Sequence, residues 1–225
     1  MSVEKAEPAV RPAKAPKRSE ETRNALLDAA ARMFFRNGYD RASLQEIADI
    51  TGIQKGSIYY HYRSKEMLLF DVLKLIHDRH LDNVRDLASR AEGSSLQRLQ
   101  SILRGHTLYV CANIEDSTVL AREFVKLDRE QAREILGEGF DYQRVFRDLI
   151  EGAREEGEVP DWIEPKLATL WVLGALNTLH RWYRPHEDFS ELEIAETFSQ
   201  QLARGISMPS ANTVGAVESQ ASAKQ

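Results

Sequence analysis

The chain has 225 residues, a length that fits one large domain or two small ones. Its 42% hydrophobic and 29% charged residues are typical of a soluble globular protein, and the few glycines (12) and prolines (7) exclude collagen and extended low-complexity sequence. The single cysteine excludes an internal disulfide framework and a zinc site built on two cysteines of one chain. The longest apolar run, at residues 167–179, is shorter than the roughly 20 residues of a membrane span, and no apolar signal-peptide region is visible. We therefore expect a cytoplasmic protein with no membrane partner.

Charge is distributed unevenly along the chain. The net charge is −5, but residues 1–65 contain 12 lysines and arginines against 8 acids, whereas residues 66–225 contain 18 against 27. A basic N-terminal third attached to an acidic remainder favours a polyanionic partner at the N-terminal end.

Both ends of the chain lack the periodic apolar residues of a helix. Residues 1–18 combine regularly spaced prolines with a basic run, and we expect a disordered basic arm there. This arm is either a plain solubilising tail or a segment that contacts the polyanion. Residues 207–225 have little to bury, and we expect a disordered tail.

The sequence between the two tails predicts an all-α protein. Apolar residues recur with helical spacing, capping residues begin the helices and glycines or prolines end them. Ser43 with Glu46 and Ser190 with Glu193 have the spacing of capping boxes, Ser64 is a further N-cap, and Gly52 is a stop signal. The predicted helices are 19–37, 43–52, 55–60, 64–91, 96–110, 116–127, 128–156 (with a possible break at 137 or 139), 165–183 and 190–205.

Residues 43–65 have the arrangement of a helix-turn-helix, with a helix of about eight residues, a glycine turn and a shorter second helix. Ala48 is small enough for the second helix to cross it, and Ile58 anchors that helix to the core together with Ile53. Gly56 allows close approach of the backbone to a duplex. The outward face carries donors and aromatic rings and no acid, which suits an approach to phosphates; its residues are Gln54, Lys55, Ser57, Tyr59 and Tyr60.

The same segment resembles the TetR family of transcriptional regulators. The resemblance covers residues 26–67 and rests on Asn37-Gly38-Tyr39, on residues 43–48, on Gly52-Ile53, on residues 55–62 and on Ser64-Lys65-Glu66. It implies a homodimer that binds double-stranded DNA through an N-terminal three-helix head, with a C-terminal helical body for ligand binding and dimerisation. We expect residues 19–65 to form the DNA-binding domain and residues 66–206 to form the body.

The resemblance also implies roles for particular residues of the head. Ser43 would cap its helix and touch a phosphate, while Lys55, Gly56, Ser57 and Tyr59 would lie in or beside the major groove. Tyr60, His61 and Lys65 would contact phosphates. Gln54 stands where the family commonly has a small capping residue, which weakens the cap but adds a side chain able to pair with an adenine edge. Tyr62 replaces a usual phenylalanine, and we expect it to pack in the core.

In the body, the resemblance implies that the last two helices form the dimer interface and that the interior binds a small-molecule effector. Residues 180–185 resemble a stretch found in members that sense acyl-CoA thioesters, so that arginine and tryptophan would hold a CoA phosphate and an acyl chain. The candidate ligand residues are Arg122, Trp171, Arg181, Trp182 and Arg184. Alternatively, Trp182 packs in the dimer, Arg181 and Arg184 are cations at a helix C-terminus, and Arg122 forms an ion pair with Glu123.

These features predict a repressor that leaves a palindromic operator when a small molecule, such as an acyl-CoA, binds the body. The alternative is a DNA-binding scaffold of the same fold whose body binds a protein partner. No enzyme motif is visible, and we expect no cofactor. His77 and His80 have a spacing that zinc tolerates, but no further cluster completes a metal site.

Overall fold

The computed structural model describes residues 16–52, 58–59, 61–137 and 141–207, with side chains from residue 23 onward. Regular structure in these residues is helical throughout, so the predicted all-α class is confirmed. The elements are α1 (Pro16–Asn37), α2 (Leu44–Thr51), α3 (Lys65–Arg90), α4 (Ser95–Ala112), α5 (Ile114–Glu123), a 3₁₀ turn (Phe124–Lys126), α6 (Arg129–Leu136), α7 (Asp141–Glu155), α8 (Pro165–Asn177), α9 (Leu179–Trp182) and α10 (Glu191–Ile206).

The predicted caps are present at the helix ends. The hydroxyl of Ser43 accepts from the backbone N–H of Glu46, whose carboxylate accepts from the Ser43 N–H, and α10 begins with the same reciprocal pair. Ser64 caps α3. Gly52 ends α2 with φ of 65°, a left-handed conformation that glycine adopts without a steric cost. The local signals in the sequence therefore set these helix boundaries.

Several predicted helices have different bounds in the structure, and two of these differences have a clear local cause. The first begins at Pro16 rather than Ser19, because proline at the first helical position lacks an N–H that would need a partner. The last three residues of the predicted arm are therefore helical, whereas residues 1–15 and 208–225 lie outside the described residues. The helix predicted for residues 165–183 is interrupted at Thr178, whose hydroxyl and N–H both donate to the Ala175 carbonyl.

The head and the body share one hydrophobic core. Leu26, Phe34 and Ile47 are completely or almost completely buried in it, and so are Val119 of α5 and Ile135 of α6. A three-helix unit of this size is marginally stable alone, so burial against the body supports it.

A second core lies within the body, where α4 packs against α7 and α10. Leu103 and Phe146 are fully buried there, and Cys111 is 2% exposed, so its thiol belongs to this core. Among the described helices, none combines the length and the apolar character needed to cross a membrane.

Candidate nucleic-acid interface and effector cavity

The helix-turn-helix segment is anchored from inside and exposed outside. Ile58 is completely buried in the head core, as predicted, whereas its neighbour Tyr59 is 52% exposed. This arrangement leaves the tyrosine ring available to an external partner. The predicted groove residues Gln54, Lys55, Gly56 and Ser57 lie outside the described residues, as does Tyr60, which is predicted to contact a phosphate.

The remaining predicted phosphate ligands flank this segment. His61 is exposed. The hydroxyl of Ser43 donates to the Glu46 carboxylate at 2.8 Å, so its proton is used within the capping box. Ser43 is therefore held at the start of α2 by the same contact that caps the helix.

Lys65 has a second function that sequence reasoning missed. Its Nζ donates to the backbone carbonyls of Tyr39, Asp40 and Ala42 at 3.0, 3.2 and 3.1 Å. It also lies 4.4 Å from the centre of the Tyr39 ring. An ammonium group has three N–H donors, and all three are used here. Lys65 can therefore attract a phosphate through its positive charge but has no free donor for a hydrogen bond to it. The lysine fixes the loop that leads into α2.

Tyr62 packs in the core as predicted. Its side chain is 3% exposed, and its hydroxyl donates to Asp71 at 2.8 Å. The same carboxylate pairs with Arg23 of α1 at 2.6 Å. These contacts join α1 and α3 behind the helix-turn-helix.

A cavity of about 500 Å³ lies in the body, between α3, α4, α5, α7 and the α8–α9 junction. Its volume is in the range of small-molecule sites. The apolar part of its wall includes Val110, Leu120, Phe124, Leu173 and Leu176. Four of the six histidines in the chain also line it: His77, His80, His106 and His180.

The wall of the cavity carries little charge. Among the described lining residues there is no carboxylate, and Arg181 is the one permanent cation. Burial lowers the pKa of His80 to about 4 and that of His106 to about 3, so both imidazoles are neutral at pH 7. A cavity of this kind suits a ligand that is mostly apolar and has an anionic end near Arg181.

A hydrogen-bond chain orders the inner wall. The Nδ1 of His106 lies 2.8 Å from the Oδ1 of Asn83, which can only accept, so Nδ1 carries the proton. The unprotonated Nε2 then accepts from the Tyr142 hydroxyl at 2.6 Å. Tyr142 therefore donates to His106 and keeps its oxygen lone pairs for another partner.

Sequence reasoning missed most of this wall. It considered His77 and His80 only as metal ligands, and it did not group His106 or Tyr142 with them. Within the described residues, no group of three or more histidines, cysteines or acids has the geometry of a metal site. The available signal was the concentration of histidines on α3 and α4, which are adjacent in the fold.

Arg181 is the one predicted ligand residue that lines the cavity. Trp171 lies instead on the outer face of α8, packed so closely on Gly205 that a Cβ there would lie 2.6 Å from the indole. Trp182 packs against Phe198 with ring centroids 6.0 Å apart and does not line the cavity. Neither tryptophan lines the cavity, and both pack on the surface of the last helices.

Arg184 and Arg122 do not line the cavity either, and both guanidinium groups are used elsewhere. Arg184 donates to the carbonyls of Tyr183 and Arg181, which is the role of a cation at a helix C-terminus. Arg122 forms an ion pair with Glu123 at 2.7 Å and donates to the Phe34 carbonyl of the head. Its guanidinium is used in the head–body junction, so the ion-pair interpretation is the correct one.

Residues 122–126 connect the cavity with the head. Phe124 lines the cavity, whereas the carboxylate of Glu123, only 2% exposed, accepts from the Tyr39 backbone N–H at 3.3 Å. Lys126 pairs with Asp40 at 2.7 Å. The loop that these residues contact is the one that Lys65 fixes from the other side, so a single short segment contacts both functional regions.

An exposed helix-turn-helix on a helical body that encloses a cavity defines a DNA-binding protein with a ligand-binding domain. Residues 26–72 match the family model for bacterial regulatory proteins of the tetR family, and residues 92–206 match the model for the tetracyclin repressor-like C-terminal domain. The chain belongs to the TetR family. It is a DNA-binding transcriptional regulator of that family rather than an enzyme.

Individual relatives agree with this assignment. The transcriptional repressor KstR2 of Rhodococcus jostii (strain RHA1) is 23% identical over 188 residues, which cover 83% of this chain and 92% of KstR2. A tetR-family regulatory protein from Rhodococcus RHA1 shares the fold with a TM-score of 0.76 at 21% identity, over 84% of this chain and 98% of that one. AibR, solved with isovaleryl coenzyme A and operator DNA, has a TM-score of 0.71 at 22% identity, over 80% and 97% of the two chains.

Proposed function

We propose that this protein is a cytoplasmic, homodimeric repressor that leaves its operator when a small molecule binds the cavity. The observation that carries the proposal is the cavity of about 500 Å³ with an apolar wall and no carboxylate among its described lining residues. A body filled by its own side chains would instead favour a scaffold that binds a protein partner, so the cavity supports the ligand-responsive alternative.

The proposed effector is an acyl-CoA thioester. An acyl chain would occupy the apolar wall, and a phosphate or the thioester end would lie near Arg181. AibR, which shares the fold, was solved with isovaleryl coenzyme A and operator DNA, and this supports the same chemistry here. The ligand acts only through a difference in its affinity for the DNA-bound and the released arrangement.

We propose that residues 122–126 transmit ligand binding from the cavity to the head, which then releases the DNA. A ligand that displaces Phe124 would move Glu123 and Lys126, because the three residues are neighbours in the chain. Both polar residues contact the loop of Tyr39 and Asp40. A shift there would be passed to Lys65 and to the start of α2, and it would change how the head meets DNA.

The dimer interface is proposed on α8 and α10. Leu167, Leu170 and Trp171 of α8 and Leu192 of α10 are exposed apolar residues. Gly174 is exposed in the middle of α8, where a Cβ would have no atom of this chain within 4 Å. Glycine inside a helix costs about 1 kcal/mol relative to alanine. Close approach of a helix from a second protomer would explain why glycine stands at this position, which no contact within one protomer explains.

Two heads spaced by about one turn of duplex, roughly 34–36 Å, would then bind successive major grooves of a palindrome. Gln54, Lys55, Gly56, Ser57 and Tyr59 are the proposed groove residues. Tyr60 and His61 are the proposed contacts to the phosphate backbone; Ser43, whose protons are used in the capping box, and Lys65, whose three donors are used on the loop, are proposed to position α2 there, and Lys65 adds its charge.

The experiment has two stages. A palindromic site is first selected from random duplexes with the purified protein, and its release is then followed by fluorescence anisotropy during titration with dodecanoyl-CoA, free dodecanoate and CoA. We expect release by the thioester, with Arg181→Ala needing at least about tenfold more of it, since one charge-assisted contact is lost. Arg184→Ala is the matched control and should respond as the wild type does. Failure of a panel of acyl-CoAs to release DNA would reject the effector, and failure to select any duplex would reject the repressor itself.

A further inference from the structure

One residue that lines the inner wall of the cavity has a polar atom that the protein leaves without a partner. His77 is 6% exposed, and its Nδ1 is buried without a hydrogen bond. The nearest carboxylate oxygen, on Asp78, lies 3.9 Å away, beyond hydrogen-bond distance. A buried polar group without a partner is costly, so a ligand that supplied one would gain affinity.

Tyr142 lies close to His77, with ring centroids 6.3 Å apart, and lines the same cavity. Its only hydroxyl proton is donated to the Nε2 of His106. The oxygen can therefore accept a hydrogen bond from a ligand but has no second proton to donate. A ligand group placed against Tyr142 has to be a donor.

Two other polar side chains of this wall are already paired. The hydroxyl of Ser117 donates to the Asn113 carbonyl at 3.0 Å, and it lies 3.3 Å from the Nε2 of His80. His180 uses its Nδ1 on the Asn177 carbonyl at 2.7 Å. His77 and Tyr142 are neighbours on the inner wall and can both take part in recognising a polar group of a ligand.

We propose that the cavity selects an apolar effector that carries a hydroxyl group and that this hydroxyl donates to the oxygen of Tyr142. A hydroxyl is also the group that can serve a neutral imidazole in either tautomer, since it both donates and accepts. His77 is neutral at pH 7, because burial lowers its pKa. The inference deepens the proposed function, since it assumes that the cavity is the effector site, and it narrows the effector to a hydroxylated chain or ring.

The test uses two isomers that carry no CoA, 1-decanol and 1-methoxynonane. They have the same atoms and nearly the same shape, but only the alcohol can donate a hydrogen bond. Binding of each to the full-length protein is measured by isothermal titration calorimetry. We expect the wild type to bind the alcohol at least about tenfold more tightly than the ether.

Tyr142→Phe is the diagnostic variant, and the ratio of the two affinities is its readout. The ratio compares two ligands on one protein, so a change in the stability of the variant cancels. We expect the ratio to fall to near one in Tyr142→Phe and to persist in Arg184→Ala. An ether bound as tightly as the alcohol, a ratio unchanged by Tyr142→Phe, or no binding of either isomer would overturn the inference. If the alcohol is preferred but no acyl-CoA releases DNA, the acyl-CoA effector fails while this inference stands.

Discussion

Acid should destabilise this protein through two buried histidines. His80 and His106 are 7% and 0% exposed, and their rings lie 5.6 Å apart. Burial lowers the pKa of the first to about 4 and of the second to about 3, whereas the imidazoles of an unfolded chain titrate near 6.5. Between these values the unfolded chain binds more protons than the folded one. The free energy of unfolding is therefore at its full value above about pH 6.5 and decreases as the pH falls below it.

The magnitude follows from the same pKa values. At pH 5.5 an unfolded imidazole is about 90% protonated, while the folded one is still almost entirely neutral. The linkage relation gives a loss of about 1.2 kcal/mol per histidine between pH 7 and pH 5.5, or about 2.5 kcal/mol for the pair. A loss of this size is a large fraction of the stability of a typical domain.

The assay is urea unfolding at pH 7.0 and 5.5, at one protein concentration, for the wild type, His80→Gln and His106→Gln. The quantity compared is the change in unfolding free energy between the two pH values, so carboxylates common to all three proteins cancel. Each variant should retain about half of the wild-type loss that the histidine pair causes. If His106→Gln lost as much stability as the wild type, the buried imidazole would not be the source and the reasoning would be refuted.

Three further predictions concern DNA binding, release and assembly. Lys126→Ala breaks the ion pair to the head; it should change operator affinity by no more than about threefold but raise the effector concentration for half-release by about fivefold or more. Arg104→Ala, which breaks an ion pair within the body, is the control. Equal behaviour of the two variants in anisotropy titrations would exclude the junction as the route by which binding causes release. Gly174→Leu should weaken the dimer by at least about tenfold in analytical ultracentrifugation, whereas Glu151→Leu, at an exposed position of α7, should not; a dimer unchanged by Gly174→Leu would reject the interface. Gln54→Ala should reduce the preference for the selected operator over random duplex, and equal losses on both would reject base reading.

Much of the fold could be predicted because its signals are local. The pairing of Ser43 with Glu46 and the stop at Gly52 depend on residues within one or two helical turns, and both are present in the structure. The start at Pro16 and the interruption at Thr178 were missed because each depends on a competition between two local alternatives. At Thr178 a side-chain hydroxyl bonds the backbone of the preceding turn, which apolar periodicity does not reveal.

The cavity could not be predicted in the same way. Its wall is assembled from residues far apart in the chain, such as His77 and Tyr142, and a cavity is defined by space that side chains leave unfilled. Trp182 and Arg184 were predicted near the ligand together with Arg181 because residues 180–185 resemble a stretch found in acyl-CoA-sensing members of the family. Successive helical residues point in different directions, so only Arg181 of these three lines the cavity.

The hydrophobic core shared by head and body has a consequence for engineering. A chimeric regulator made by joining this head at Lys65 to a foreign sensor would lose Val119 and Ile135, which are buried among the head residues. The graft would expose an apolar patch on the DNA-binding head, and the chimeric protein would be prone to aggregate. Domain exchanges that retain α5 and α6 keep that patch covered. The point at which the two sequences can be joined is therefore defined by which residues are buried together rather than by their order along the polypeptide.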